Sequence, residues 1–434
     1  MRWPYKPSRL VLILIGLCTV SCVDPERSNP FDSSVELLFL PKILEPSGGE
    51  QWFPGTQQTI RWLPATQVLD SLVTLQLICE SDTTTLAQGV PNIGSFSWFV
   101  PHLSSSSCRI RIVGRVGAGK SSSFFRIKPL PVLKKLNIGA HEGRSPSALR
   151  EKVLFVSRLH GNDNIWLLDR DDGSISRVTF NGLADTEPAW FKPLGSIFAY
   201  TAVDSNLVKN IWITATEGIG AGSKRQITFL GGEAAAWQNT AEQSQLAIAY
   251  VRADLENPLL KQVLAGRLNT PINALPLLGS PQFETLPIAV SDQSPSNENL
   301  IRTITWSFID GNNLFLYHLG TGENNYRLWK VEFPGQNFAS AVNNSFPIPA
   351  GLKPSQPKIS PSGKWVAFSV EGDIWVSSIS GISVTPLTFG ENLEDSPDWA
   401  SETEIVFSRR ELETSGHNKY RPRELWTIQV SDPP

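Results

Sequence analysis

The sequence predicts an all-β chain in two parts, a small β-sandwich followed by a ring of repeated four-stranded sheets. Three observations predict it. The 434 residues include 32 Gly, 32 Pro and 14 Trp, turn formers and large aromatics in the proportions of many short strands. Between residues 40 and 130, short alternating runs are separated by Gly, Pro and Ser clusters. From residue 131 onward, four short signatures recur in a fixed order. Hydrophobic content of 41% and charged content of 18% are those of a globular protein, and a net charge of −3 argues against nucleic-acid binding.

Residues 1–21 read as an export signal. Arg2, Lys6 and Arg9 precede the apolar run Leu10–Leu17, which is too short to span a bilayer. Cys18-Thr19-Val20-Ser21-Cys22 then resembles a bacterial lipobox, with Thr19 where that motif usually has Leu. The resemblance implies a lipoprotein whose mature N-terminus is a lipidated Cys22; a plain secreted protein with Cys22 left over is the alternative. Residues 22–39, polar and holding Pro25, Asn29 and Pro30, form a flexible tether. Val23 after the lipidated residue implies the outer membrane, with the protein facing the periplasm or the surface and touching the membrane through its lipid alone. Of four cysteines, Cys79 and Cys108 remain, an even pair in an oxidising compartment beside alternating strands. We expect a disulfide, with two buried free thiols as the alternative.

Residues 40–130 predict about seven strands, which suits an immunoglobulin-like β-sandwich. Pro46-x-Gly48-Gly49-x-x-Trp52, Ile60-x-Trp62 and Ser95-x-Ser97-Trp98-x-Val100-Pro101 resemble the Ser-Thr-rich, KNH-type (GPI-anchored-type) immunoglobulin-like family of wall and surface proteins. That resemblance implies a spacer or adhesion module without chemistry. Gly114–Ser121 satisfies the phosphate-loop pattern G-x-x-x-x-G-K-S. A strand-like run, Phe124–Ile127, follows where a phosphate site needs a helix, so the segment reads as a hairpin turn.

In residues 131–434 the first signature opens each unit, as in Glu187-Pro188-Ala189-Trp190 and Ser396-Pro397-Asp398-Trp399. The second is apolar, as in Val153–Ser157 and Val366–Ser369. The third carries Trp, as in Asn164-Ile165-Trp166-Leu167 and Asp373-Ile374-Trp375-Val376, and the fourth reads Val178-Thr179-Phe180 or Leu387-Thr388-Phe389. Anchors at Pro146, Pro188, Ala235, Thr305, Pro357 and Pro397 lie 42, 47, 70, 52 and 40 residues apart, so six propeller blades fit. The long interval holds an insertion, Gly279–Asn299. The last unit lacks an outer strand, and the spare segment Leu133–Ile138 is expected to complete it beside Thr427–Val430. The repeated Trp and Phe read as packing residues. Asp373–Val376, Pro386–Phe389, Ser396–Trp399 and Ser360-Pro361-Ser362-Gly363 resemble the Tol-family, TolB-like propeller repeats of exported bacterial proteins.

Signs of catalysis are few. His102, His141, His160, His318 and His417 are scattered without zinc spacing, no G-x-S-x-G elbow occurs, and Asp169–Phe180 lacks the final Glu of a calcium loop. No cofactor or metal site is expected. The expected function is non-catalytic binding of an envelope protein or a cell-wall polymer through one propeller face. A propeller-based polysaccharide lyase or glycosidase, needing carboxylates or histidines gathered at the axis, is the alternative, and a structural spacer a third. The candidate partner-binding residues are Arg409, Arg410, His417, Lys419, Tyr420, Arg421 and Arg423 in and beside the Glu411–Arg423 loop, where Arg and Tyr suit a protein interface.

Overall fold

The computed structural model describes residues 40–430 except 66–69, 102, 116, 122, 130, 218–221, 240–244, 254–260, 272–281, 284–286, 290–298, 310–311, 322–324, 335–336, 350–351, 382–383 and 414–419. Cys22, His102, His417, Lys419 and most of the Gly279–Asn299 insertion therefore lie outside the described residues. All regular structure among them is strand, apart from one short 3-10 turn at Phe338–Ser340. The chain divides into two compact units, residues 1–129 and 130–434.

In the first unit, strands Lys42–Glu45, Gln57–Leu63 and Ser95–Phe99 form one sheet. A second sheet runs in the order Gln51–Trp52, Phe125–Ile127, Ser105–Val113, Leu72–Cys79 and Asp82–Pro91, with Ala118–Lys120 on the side of Ser105–Val113. The alternation in sequence becomes two faces. Val73, Leu75 and Leu77 of one strand and Cys108, Ile110 and Ile112 of its neighbour are buried, against Ile60, Trp62 and Trp98 from the other sheet. Cys79 and Cys108 sit opposite each other in the register and are joined by a disulfide. The phosphate-loop lookalike is a tight hairpin: Gly114 N–H donates to Gly117 O at 2.8 Å, and Ala118–Lys120 folds back onto Arg111–Val113.

The second unit contains six four-stranded antiparallel sheets among the described residues. Each begins with an inner strand: Arg144–Leu149, Asp185–Trp190, Glu233–Trp237, Asn299–Ile309, Pro354–Ile359 and Leu393–Trp399. Each inner strand touches the next, and the sixth touches the first, so the ring is closed. That arrangement is a β-propeller. Second strands such as Lys152–Ser157 and Ile197–Val203 are buried along nearly their whole length, because neighbouring sheets cover both faces. Leu133–Lys135 pairs with Trp426–Ile428 and completes the sixth sheet from the other end of the unit. It is shorter than the expected Leu133–Ile138.

The fourth signature has a mechanical role. Thr179, Thr228 and Thr388 each turn the side-chain oxygen back to accept the backbone N–H of the Ile just before the Trp of the third signature, at 2.9, 2.8 and 2.7 Å. The short outer strand ends there, and the hydroxyl takes the place of a ladder bond. The Phe that follows differs from its expected packing role: Phe180 and Phe229 are 66% and 67% exposed, past the end of the strand. The Phe of the second signature (Phe155, Phe198, Phe368, Phe407) is fully buried.

Candidate functional site

The axis of the ring is built by a repeated irregularity. Every inner strand slips register once, between Arg144 and Ser147, Thr186 and Ala189, Glu233 and Ala236, Ile301 and Thr303, Ser355 and Lys358, and Asp395 and Asp398. Five of these bulges hold a non-glycine residue in the left-handed region: Ser145, Glu187, Ala234, Gln356 and Ser396, with φ of 47, 54, 53, 53 and 55°. The strain is offset by side chains that reach across to the next sheet. The Glu187 carboxylate accepts Ala234 N–H at 2.9 Å and the Thr201 hydroxyl at 2.7 Å. The Gln356 carbonyl accepts Ser396 N–H at 2.7 Å, and its amide donates to Ser396 Oγ at 3.1 Å.

Beyond the bulge, one residue of each inner strand occupies the equivalent axial position: Ser147, Ala189, Ala236, Thr305, Lys358 and Asp398. A cavity of about 120 Å³ lies on the bulge side, lined by Ser145, Glu187, Thr303, Gln356, Ser396 and Lys358 among others. A smaller one of about 50 Å³ lies on the opposite side, lined by Ser147, Lys192, Asn239, Thr305, Lys358 and Asp398 among others. Lys358 borders both.

The two charged axial residues are held very differently. Asp398 Oδ2 accepts Ala148 N–H at 2.8 Å and the Ser147 hydroxyl at 3.2 Å; Oδ1 accepts Trp399 N–H at 2.9 Å and lies 3.4 Å from Lys192 Nζ. Lys192 also donates to Trp399 O at 2.8 Å. The carboxylate therefore fastens the sixth sheet to the first and the second. The Lys358 ammonium has no hydrogen bond or ion pair among the described residues. Burial holds it below the ordinary lysine value, with Lys192 pushing the same way, against the attraction of Asp398 and Glu187.

The sequence-predicted loop stands at the end of the ring where inner strands begin, since Leu393 pairs with Arg410. The larger cavity opens at that same end. Arg409 stacks over Trp426, 4.6 Å from its centroid, and lies 3.5 Å from Glu394, while Arg423 is paired with Asp395. Arg410 closes the strand beside them, with its Nε buried. Tyr420 is 39% exposed, and the Arg421 side chain is 58% exposed, 3.5 Å from Glu411. Of the seven candidates, Arg409 and Arg423 are engaged within the sheet, Arg410 ends its strand with Nε buried, Tyr420 and Arg421 are exposed, and His417 and Lys419 lie outside the described residues.

His141 and His160, in the turns that flank the first two strands of the first sheet, both pack on Trp166, with ring centroids 4.2 and 5.4 Å from it. Burial, and then the neighbouring His160, hold His141 below the usual histidine value. No cluster of three or more His, Cys, Asp or Glu suited to a metal occurs among the described residues. Among those residues no helix is long and apolar enough to cross a membrane. Sequence reasoning missed Lys358 and the bulge latches. The one available signal was that Lys358 and Asp398 share the position between Pro and the following large apolar residue.

No known family model matches the sequence, and no curated protein matches it. Among solved structures, the chain is similar to a protein of unknown function from Bacteroides thetaiotaomicron, at 10% identity and a TM-score of 0.43, over 87% of this chain and 95% of that one. It is similar to TolB from Acinetobacter baumannii, at 16% identity and a TM-score of 0.39, over 68% of this chain and 64% of TolB. It is also similar to an oligogalacturonate lyase from Vibrio parahaemolyticus, at 11% identity and a TM-score of 0.39, over 69% and 94%.

Proposed function

We propose that this protein binds a partner and does not catalyse. In this reading the six sheets are the blades of a TolB-like propeller, the first unit is an immunoglobulin-like spacer, and a lipid on Cys22 tethers both to the outer membrane. The observation that carries the binding reading is the commitment of the one axial carboxylate, Asp398. Asp398 accepts from four donors and so serves the scaffold. Acid–base hydrolysis or lyase chemistry needs such groups free to meet a substrate.

Binding falls instead to the rim. Tyr420 and Arg421 combine contact area with directional donors, and the sheet below them is rigidly paired. The partner is an envelope protein or an anionic wall polymer. Replacing Tyr420 and Arg421 together by Ala is expected to abolish capture of that partner from envelope extract and to leave the melting temperature within a degree or so, because neither side chain is buried. Unchanged capture places binding elsewhere. Turnover of any wall or pectic polysaccharide by the purified chain overturns the non-catalytic reading.

A further inference from the structure

We propose that the throat of the ring is a carboxylate-binding site, in which the Lys358 ammonium receives a carboxylate group entering the axial channel. The site is independent of the rim loop, so either can fail without the other.

A half-buried ammonium with no acceptor among the described residues is costly, and the Asp398 oxygens beside it are already used. Asp398 is surrounded by donors and neutralises Lys192, and Glu187 Oε2 is held by Thr201 and Ala234. Of the charged residues lining the small cavity, Lys192 and Lys358 face one carboxylate, Asp398, which leaves one positive charge there; Glu187 lines the larger cavity. Thr305, at the equivalent position of the adjacent sheet, accepts Ile359 N–H at 3.2 Å and keeps its hydroxyl proton to donate. An ammonium and a hydroxyl bordering one space suit the two oxygens of a carboxylate.

Size narrows the ligand further. About 50 Å³ holds a few water-sized groups, enough for a carboxylate and too little for a sugar ring. The cavity of about 120 Å³ on the other side of Lys358 leaves room for whatever the carboxylate is attached to. A single charge matches a monoanion better than a phosphate dianion, which would bring an uncompensated charge into the throat. The carboxylate can belong to a small free acid or to the acidic end of a longer molecule such as a uronate.

Protons report the contact. The charged groups acting on Lys358 are Asp398, Lys192 and Glu187, and burial disfavours its charged form. A bound carboxylate raises the Lys358 pKa, so binding takes up protons at alkaline pH and weakens as pH rises. Calorimetry on the full chain with acetate, glucuronate and the uncharged isostere acetamide tests this. We expect acetate to bind, acetamide not to bind, and acetate affinity to fall as pH rises, with proton uptake measured in buffers of different ionisation heat. Lys358→Met should weaken acetate binding at least tenfold. Glucuronate binding as well assigns the site to sugar acids; acetate alone assigns it to small acids. Equal heats for acetate and acetamide, no binding below molar concentration, or undiminished binding in a folded Lys358→Met overturn the proposal. The acetate and acetamide arms use the unaltered protein, so they decide the matter even if the variant does not fold.

Discussion

Lys358 and Asp398 occupy the same position in neighbouring sheets, each between a proline and a buried residue, Ile359 or Trp399, yet their surroundings are opposite. Asp398 is a structural fastener with donors from its own and two other sheets. Lys358 is half-buried and has no hydrogen bond or ion pair among the described residues. Packing does not dictate the residue at this position, since Ala189 and Ala236 fill it with a methyl group in the second and third sheets. A charge there is therefore explained by what it meets: for Asp398 the scaffold, for Lys358 the channel.

The largest expected effect tests that contrast directly. Asp398→Ala removes four contacts, leaves the Ala148 and Trp399 N–H groups without their acceptor, and leaves Lys192 without its counter-ion and with the Trp399 carbonyl alone, a loss of roughly 3–5 kcal/mol. Lys358→Met removes an unpaired charge and keeps most of the volume, so its stability should be unchanged or slightly higher. Urea unfolding of the two variants measures both. Equal losses would dissolve the distinction between fastener and free charge.

The architecture was largely legible in the sequence, because each signature has a local cause. The Pro-x-Trp runs mark inner strands, the apolar runs mark strands covered on both faces, and the Thr of Val-Thr-Phe answers an N–H left at the end of the Trp strand. The bulges were not legible. A residue before proline is ordinarily steered to extended backbone, and Ser145, Glu187, Gln356 and Ser396 all precede one while standing at positive φ. Contacts between sheets, distant in sequence, override the local preference. For the same reason Asp398 and Lys358 look alike in sequence: the Ser147 and Lys192 that separate their fates lie 251 and 206 residues from Asp398.

A second acid on the strand of Asp398 sharpens the contrast with pH. Glu394 is 1% exposed and is pushed up to about 7 by burial first, with Asp373 adding to it, against Arg409 at 3.5 Å. Asp373 is itself pushed up to about 6 by burial. A carboxyl whose folded pKa is raised contributes stability that is fully present below its unfolded value and is lost as pH rises through the folded one. Between pH 4.5 and 7 the wild type should therefore lose on the order of 1–3 kcal/mol through Glu394. Glu394→Gln should flatten that slope in denaturant titrations run across this window. An unchanged slope would show that Arg409 keeps Glu394 ionised.

The smallest effect separates the two halves of the bulge. Gln356 combines a strained backbone, φ 53°, with a side chain that bonds Ser396 in the next sheet through both N–H acceptance and amide donation. Gln356→Ala deletes the bonds and keeps the strain, so about 1–2 kcal/mol should be lost. Gln356→Gly deletes the same bonds but relieves left-handed strain of about 1–2 kcal/mol, against a chain-entropy cost of about 0.5–1 kcal/mol. The glycine variant should therefore be at least as stable as the alanine variant, the reverse of the usual order within a strand. Thermal melts of the pair decide it. An alanine variant clearly more stable than the glycine one would mean that the left-handed backbone at position 356 costs less than the added chain freedom of glycine.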